Sequence, residues 1–190
     1  MSRAEALKWT MLSQSVMTFG AGIVFPFYLI HVKEIGGDFT EFGIAYGLFT
    51  LCSAYMNRWF GKSSDRYGRK AFLLAAAWGT SLLFLLFPIV TSIWQIYVLQ
   101  VLLGMFGAMQ KTCEKAIVAD MTEEGRRGEQ IGSYHFMLSL FSGAAVMAGG
   151  WLIDFFTLDI MFYIGSVVSF VSGCLLFCVD ERFSRRSDLS

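Results

Sequence analysis

The chain has 190 residues and a formal net charge of zero; 55% of its residues are hydrophobic, 16% are charged, and the mean hydropathy is +0.55. That balance is too apolar and too sparsely charged for an ordinary soluble domain. It also leaves no basic excess for a nucleic-acid partner, and the expected solvent is lipid.

A helix crossing a hydrocarbon layer of about 30 Å needs about 20 predominantly apolar residues. Six runs qualify, at roughly 11–30, 40–60, 71–92, 94–118, 131–153 and 158–179. They are continuous rather than alternating, so they read as helices and not as barrel strands. Little chain is left between them, and residues 1–190 are expected to form a single six-helix transmembrane bundle.

The first span carries a polar line of Gln14, Thr18 and Tyr28, with Ala21 and Phe25 between them, and Pro26 near its far end. No small-residue cleavage site follows, so it reads as a span and not as a signal peptide. The second span stops at GKSSDRYGRK, ten residues with five charges and two glycines, which reads as a loop before the third span. Gly61 is expected to let the end of the second helix pack closely, and Gly68 to supply positive φ. Arg66, Arg69 and Lys70 are expected to hold this loop at an anionic membrane surface, where Asp65 is the odd member and a helix N-terminus its natural partner.

In the fourth span, Gln100, Gly104, Gly107, Lys111 and Glu114 fall within about 40° of one line, with Lys115 at its edge. A charge inside a span costs roughly 2.5–3.5 kcal/mol on insertion scales, so these residues are expected to face protein or a water-filled cavity. Tyr134 and His135, at the start of the fifth span, read as structural, and that span's small residues in GAAVMAGG suit close helix packing. Cys52, Cys113, Cys174 and Cys178 all lie within expected spans and read as packing residues; no metal site and no cofactor is expected.

With the N-terminus inside, the inner segments hold twelve lysines and arginines and the outer loops hold Lys33 alone. This positive-inside bias places both termini in the cytoplasm, in an inner or plasma membrane.

Gly61, Asp65, Arg66, Gly68, Arg69 and Lys70 fill the spacing G-x-x-x-D-R-x-G-R-K between the second and third spans, and AIVADMTEEGRRGEQIG carries Asp120, Arg126, Arg127 and Gly128 between the fourth and fifth. GGWLIDFF ends the fifth span. On these residues the chain resembles one half of a major facilitator superfamily transporter. The resemblance implies an all-α integral membrane bundle built as a 3+3 inverted repeat, no enzymatic activity, and a solute cavity lined by the first and fourth spans. It also implies a conformational-switch motif of Gly61, Asp65, Arg66, Gly68, Arg69, Lys70, Asp120 and Arg127. In it Arg69 would pair with Asp120, and Asp65 would cap the fifth helix of a second bundle near residues 128–131.

The chain departs from the superfamily's antiporter patterns at Gln100, where an arginine is usual, and at Val146, where a proline is usual; both weigh against proton-driven drug export. Substrate in full-length members lies between two bundles. The expected function is therefore alternating-access transport of a small solute by a homodimer of half-size bundles. The alternatives are pairing with a different half-size chain, and a non-transporting membrane interaction protein or truncated fragment. Gln14, Thr18, Tyr28, Gln100, Lys111 and Glu114 are the expected cavity residues, with Gln14 and Gln100 reading equally as interhelical hydrogen-bond residues. Lys111, Lys115 and Glu114 leave a net positive charge, which favours an anionic or zwitterionic solute.

Overall fold

A computed structural model describes residues 3–122 and 125–179. The described residues form seven α-helices and two short 3-10 turns: α1 (Arg3–Val24), α2 (Tyr28–Glu34), α3 (Phe39–Tyr67), α4 (Arg69–Leu86), α5 (Ile93–Met121), α6 (Arg127–Phe155) and α7 (Leu158–Leu176). The first span is split into α1 and α2 by a 3-10 turn at Phe25–Phe27, because Pro26 has no N–H to continue the ladder. Pro88 ends α4 in the same way, within Phe87–Ile89.

Among the described residues, five segments are both long and apolar enough to cross a membrane: Glu5–Glu34, Arg69–Ile89, Ile93–Met121, Arg127–Phe155 and Leu158–Leu176. α3 has the length, 29 residues, but Gly43, Gly47, Thr50 and Ser53 dilute its hydropathy. Such a helix suits a protein-facing position better than a lipid-facing one.

The helices neighbour one another in the spatial order α3, α5, α4, α7, α1, α6. Exchanging the first three spans with the last three leaves this order of neighbours unchanged. The α3–α5 contact maps onto α6–α1, α4–α5 onto α7–α1, and α4–α7 onto itself. That self-consistency is the signature of the inverted repeat.

Buried serines lock the central helices. Ser13 Oγ donates to the Ser172 carbonyl at 2.9 Å and Ser172 Oγ donates back to the Ser13 carbonyl at 2.8 Å, joining α1 to α7. Ser81 and Ser166 close the same reciprocal pair between α4 and α7, at 2.8 Å each way. Aromatic packing fills the end of the bundle near the prolines, where the Phe87 and Phe162 rings stack at 4.8 Å. The opposite end is packed by Leu73, Ile117, Tyr134 and Leu176.

The two outermost helices, α3 and α6, each rest mainly on one neighbour. Only 11% of the most apolar stretch of α6 is buried, against 39–44% in the other four candidate spans.

The expected loop at GKSSDRYGRK is not a loop. α3 continues through Gly61 to Tyr67, and the chain turns at the single residue Gly68, whose φ of 99° is one that side-chain-bearing residues avoid. Lys62, Asp65 and Arg66 are compatible with a helix, so charge alone does not end one. Gly61 serves no tight approach: an added Cβ would meet the Thr112 methyl at an ordinary 3.7 Å. Gly104 does, because a Cβ there would come within 2.5 Å of the Phe49 carbonyl oxygen, and it lets α5 close on α3. The cysteines also divide: Cys113 is buried and Cys52 half-buried, whereas Cys174 and Cys178 are exposed, the latter just past the end of α7.

Candidate functional site

A cavity of about 420 Å³ lies between α1 and α5, flanked by Tyr46 and Phe49 of α3 and by Ser142 and Val146 of α6. Of the residues expected there, Gln14, Thr18, Lys111 and Glu114 line it, and Gly107 gives it room. Gln100 and Tyr28 do not. Both are buried, at 1% and 3% exposure, in a crevice beside Val24, Phe84 and Phe87. Gln100 lies on the cavity-facing side of α5, but one turn past Leu103 the aromatic plug closes the space. Its angle was readable from helical periodicity; its depth was not.

The wall contains polar groups that helical spacing alone does not mark. Gln110 lies off the line through Gln100 and Glu114, yet its Nε2 donates to Gln14 Oε1 and ties α5 to α1. Tyr134 donates its hydroxyl to Glu114 Oε1 at 2.8 Å, joining α6 to α5 at one end of the cavity. Tyr134 is thus more than a packing residue, while His135 beside it is exposed. Glu114 forms its hydrogen bond with the tyrosine and no ion pair with Lys111 or Lys115. Lys111 is exposed on the cavity wall. The arrangement offers an ammonium, a tyrosine-held carboxylate and two amides, set against aromatic and methyl surface.

The charged residues around Gly68 form a second constellation. Arg69 donates to Asp120 and to the Ala116 carbonyl at 2.9 Å on α5, and to Asp65 Oδ1 at 2.9 Å one turn back. Lys70 donates to the Val179 carbonyl at 2.6 Å and the Phe177 carbonyl at 3.4 Å, just past the end of α7. Cations at carbonyl-rich helix ends also meet the negative end of the helix dipole. Arg69 and Lys70 are therefore bound within the bundle. Arg66 is exposed, with its guanidinium 5.5 Å from the Tyr67 ring centre. Asp65, at 62% side-chain exposure, faces outward apart from Arg69. Arg127 donates to Thr122 Oγ1 at 3.2 Å and the Ala119 carbonyl at 3.4 Å, pinning the start of α6 to the end of α5. Arg182, Arg185 and Arg186, counted for orientation, lie outside the described residues.

Residues 10–189 match the family model described as Major Facilitator Superfamily. The chain belongs to this superfamily. It is 46% identical over 160 residues to the "Uncharacterized MFS-type transporter YitZ" of Bacillus subtilis (strain 168), covering 84% of this chain and 98% of that protein. It is 31% identical over 173 residues to the "Multidrug resistance protein MdtG" of Proteus mirabilis (strain HI4320), covering 87% of this chain but only 42% of that one. The Escherichia coli (strain K12 / DH10B) protein of the same name gives 31% over 169 residues and 41% coverage. The chain thus spans less than half the length of the MdtG relatives and nearly all of YitZ. As a superfamily member with several spans, it is a multi-pass membrane protein of a transporter family.

Proposed function

We propose that the chain moves a small solute across the membrane by alternating access, as a homodimer in which two six-helix bundles face each other across the cavity. The observation that carries this reading is the presence of both Lys111 and Glu114, within one span, on the wall of a cavity of about 420 Å³. Neither charge would be tolerated at that depth against lipid without cost, and a cavity of this volume suits a small organic solute. The lightly buried α6 and the polar α3 support a second bundle seated against them. YitZ, matched over 98% of its length, carries the name of an MFS-type transporter and supports transport, and the name of the MdtG proteins supports a drug-like solute. Lys111, without a carboxylate partner among the described residues, favours an anionic or zwitterionic one. The lysine and arginine asymmetry supports cytoplasmic termini and a plasma or bacterial inner membrane.

The test is access from both sides. In a cysteine-free variant reconstituted into vesicles, Thr18→Cys should react with a membrane-impermeant thiol reagent applied from either face. A single bundle that only interacts with other proteins would label from one face or neither.

A further inference from the structure

The cavity wall contains a hydrogen-bond pair that is half made. Gln110 Nε2 donates to Gln14 Oε1, and two facing primary amides can also close the reverse bond. They do not: Gln14 Nε2 and Gln110 Oε1 have no partner among the described residues, although the two residues are only 1% and 8% exposed. Two other buried polar pairs, Ser13–Ser172 and Ser81–Ser166, are closed in both directions. Unmet polar atoms are rare in native interiors and each calls for a partner.

We propose that Gln14 and Gln110 form a recognition dyad for a donor–acceptor edge, a carboxamide or lactam, on the transported solute. The inference rests on the transport reading of the cavity and names the solute class. The two free atoms are a donor and an acceptor on neighbouring side chains. A carboxamide or lactam meets both with its C=O and N–H. A carboxylate, an ester or a tertiary amide brings acceptors alone and leaves Gln110 Oε1 unmet; an ammonium leaves Gln14 Nε2 unmet. Both free atoms are covered in this conformation, and they reach a solute by rotation about the terminal amide torsion, which is soft in glutamine. Lys111, one residue along α5, takes an anionic group on the same solute, and the Tyr46 and Phe49 rings take its apolar body.

The test uses 4-carbamoylbenzoate, 4-(dimethylcarbamoyl)benzoate and 4-(methoxycarbonyl)benzoate, three probes matched in charge and ring, titrated calorimetrically into the purified protein. The primary amide should bind roughly 5- to 150-fold more tightly than the other two, the range that follows from leaving one buried group unmet. The double variant Gln14→Met/Gln110→Met should lose that preference while its thermal midpoint in the absence of probe stays level or rises, since both buried amides are removed together. Equal affinity for the three probes, no binding of any, or a preference that survives in the double variant would overturn the proposal. Equal affinity is also the outcome if ordered water satisfies the pair. The Thr18→Cys labelling distinguishes failures: two-sided labelling without amide preference leaves transport standing and removes the dyad, whereas one-sided labelling with amide preference removes transport.

Discussion

Replacing Arg69 by alanine cuts three contacts of unequal worth. The Asp65 contact lies one turn back with Asp65 at 62% exposure, so solvent screening holds it to about 0–0.5 kcal/mol. The Asp120 contact is different, because the two side chains are only 18% and 26% exposed, and a hydrogen bond to a charged group in that setting contributes about 1.5–3 kcal/mol. The bond to the Ala116 carbonyl adds about 0.5–1.5 kcal/mol. Arg69→Ala should therefore destabilise the bundle by roughly 2–5 kcal/mol, within the range of a lost partly buried network. Denaturant titration in mixed micelles, followed by tryptophan fluorescence, reads this loss. A double-mutant cycle with Asp120→Ala should give a coupling of about 1–3 kcal/mol, and one with Asp65→Ala less than about 0.5 kcal/mol. Coupling that is larger to Asp65 than to Asp120 would refute the reasoning, because it would make Asp65 a structural partner of its own bundle and not a group left for another.

The serine pairs predict a near-additive pattern: each hydroxyl donates to the other residue's main-chain carbonyl, which alanine retains, so Ser172→Ala alone should cost about 0.5–1.5 kcal/mol and Ser13→Ala/Ser172→Ala together about twice that, both read as unfolding midpoints. Gly104→Ala should destabilise by roughly 1–3 kcal/mol, since the new methyl meets the Phe49 carbonyl, while Gly61→Ala should be nearly neutral in the same assay. Asp38 caps α3 by accepting from Thr40 N at 2.6 Å, and its hydrogen bond with Glu41, followed by those from the Thr40 and Glu41 backbone, holds its carboxyl below the usual aspartate value. A pKa depressed on folding adds stability that is complete above the ordinary aspartate range and is lost as pH falls through the lower folded value. Asp38→Asn should remove that acid-side loss from a midpoint-against-pH profile.

The spans were legible because continuous apolar runs near 20 residues have few other readings, and Gly68 was legible as a turn because glycine favours positive φ. The extension of α3 to Tyr67 was hidden by its charges, which resemble a loop but sit comfortably on a helix that leaves the bilayer. Half of the cavity followed from periodicity, which gives the direction of Lys111 and Glu114 but not the depth at which Tyr28 and the phenylalanines end the space. The contacts of Gln14 with Gln110 and of Glu114 with Tyr134 join residues 96 and 20 positions apart, and only the packing of α1 and α6 on α5 brings them together. The repeat was legible through the superfamily resemblance, and the exchange symmetry of helix neighbours gives it a physical basis in this chain.

The central claim, two copies joined through α3 and α6, meets its most direct test in a disulfide. Asp65 and Glu129 are both exposed, Asp65 near the end of α3 and Glu129 in the first turn of α6. In a background otherwise free of cysteine, Asp65→Cys/Glu129→Cys oxidised in native membranes should form a bond between two chains, seen as a reducible species of twice the chain mass. A bond formed only within one chain, or no bond while both cysteines remain reactive, would contradict the homodimer.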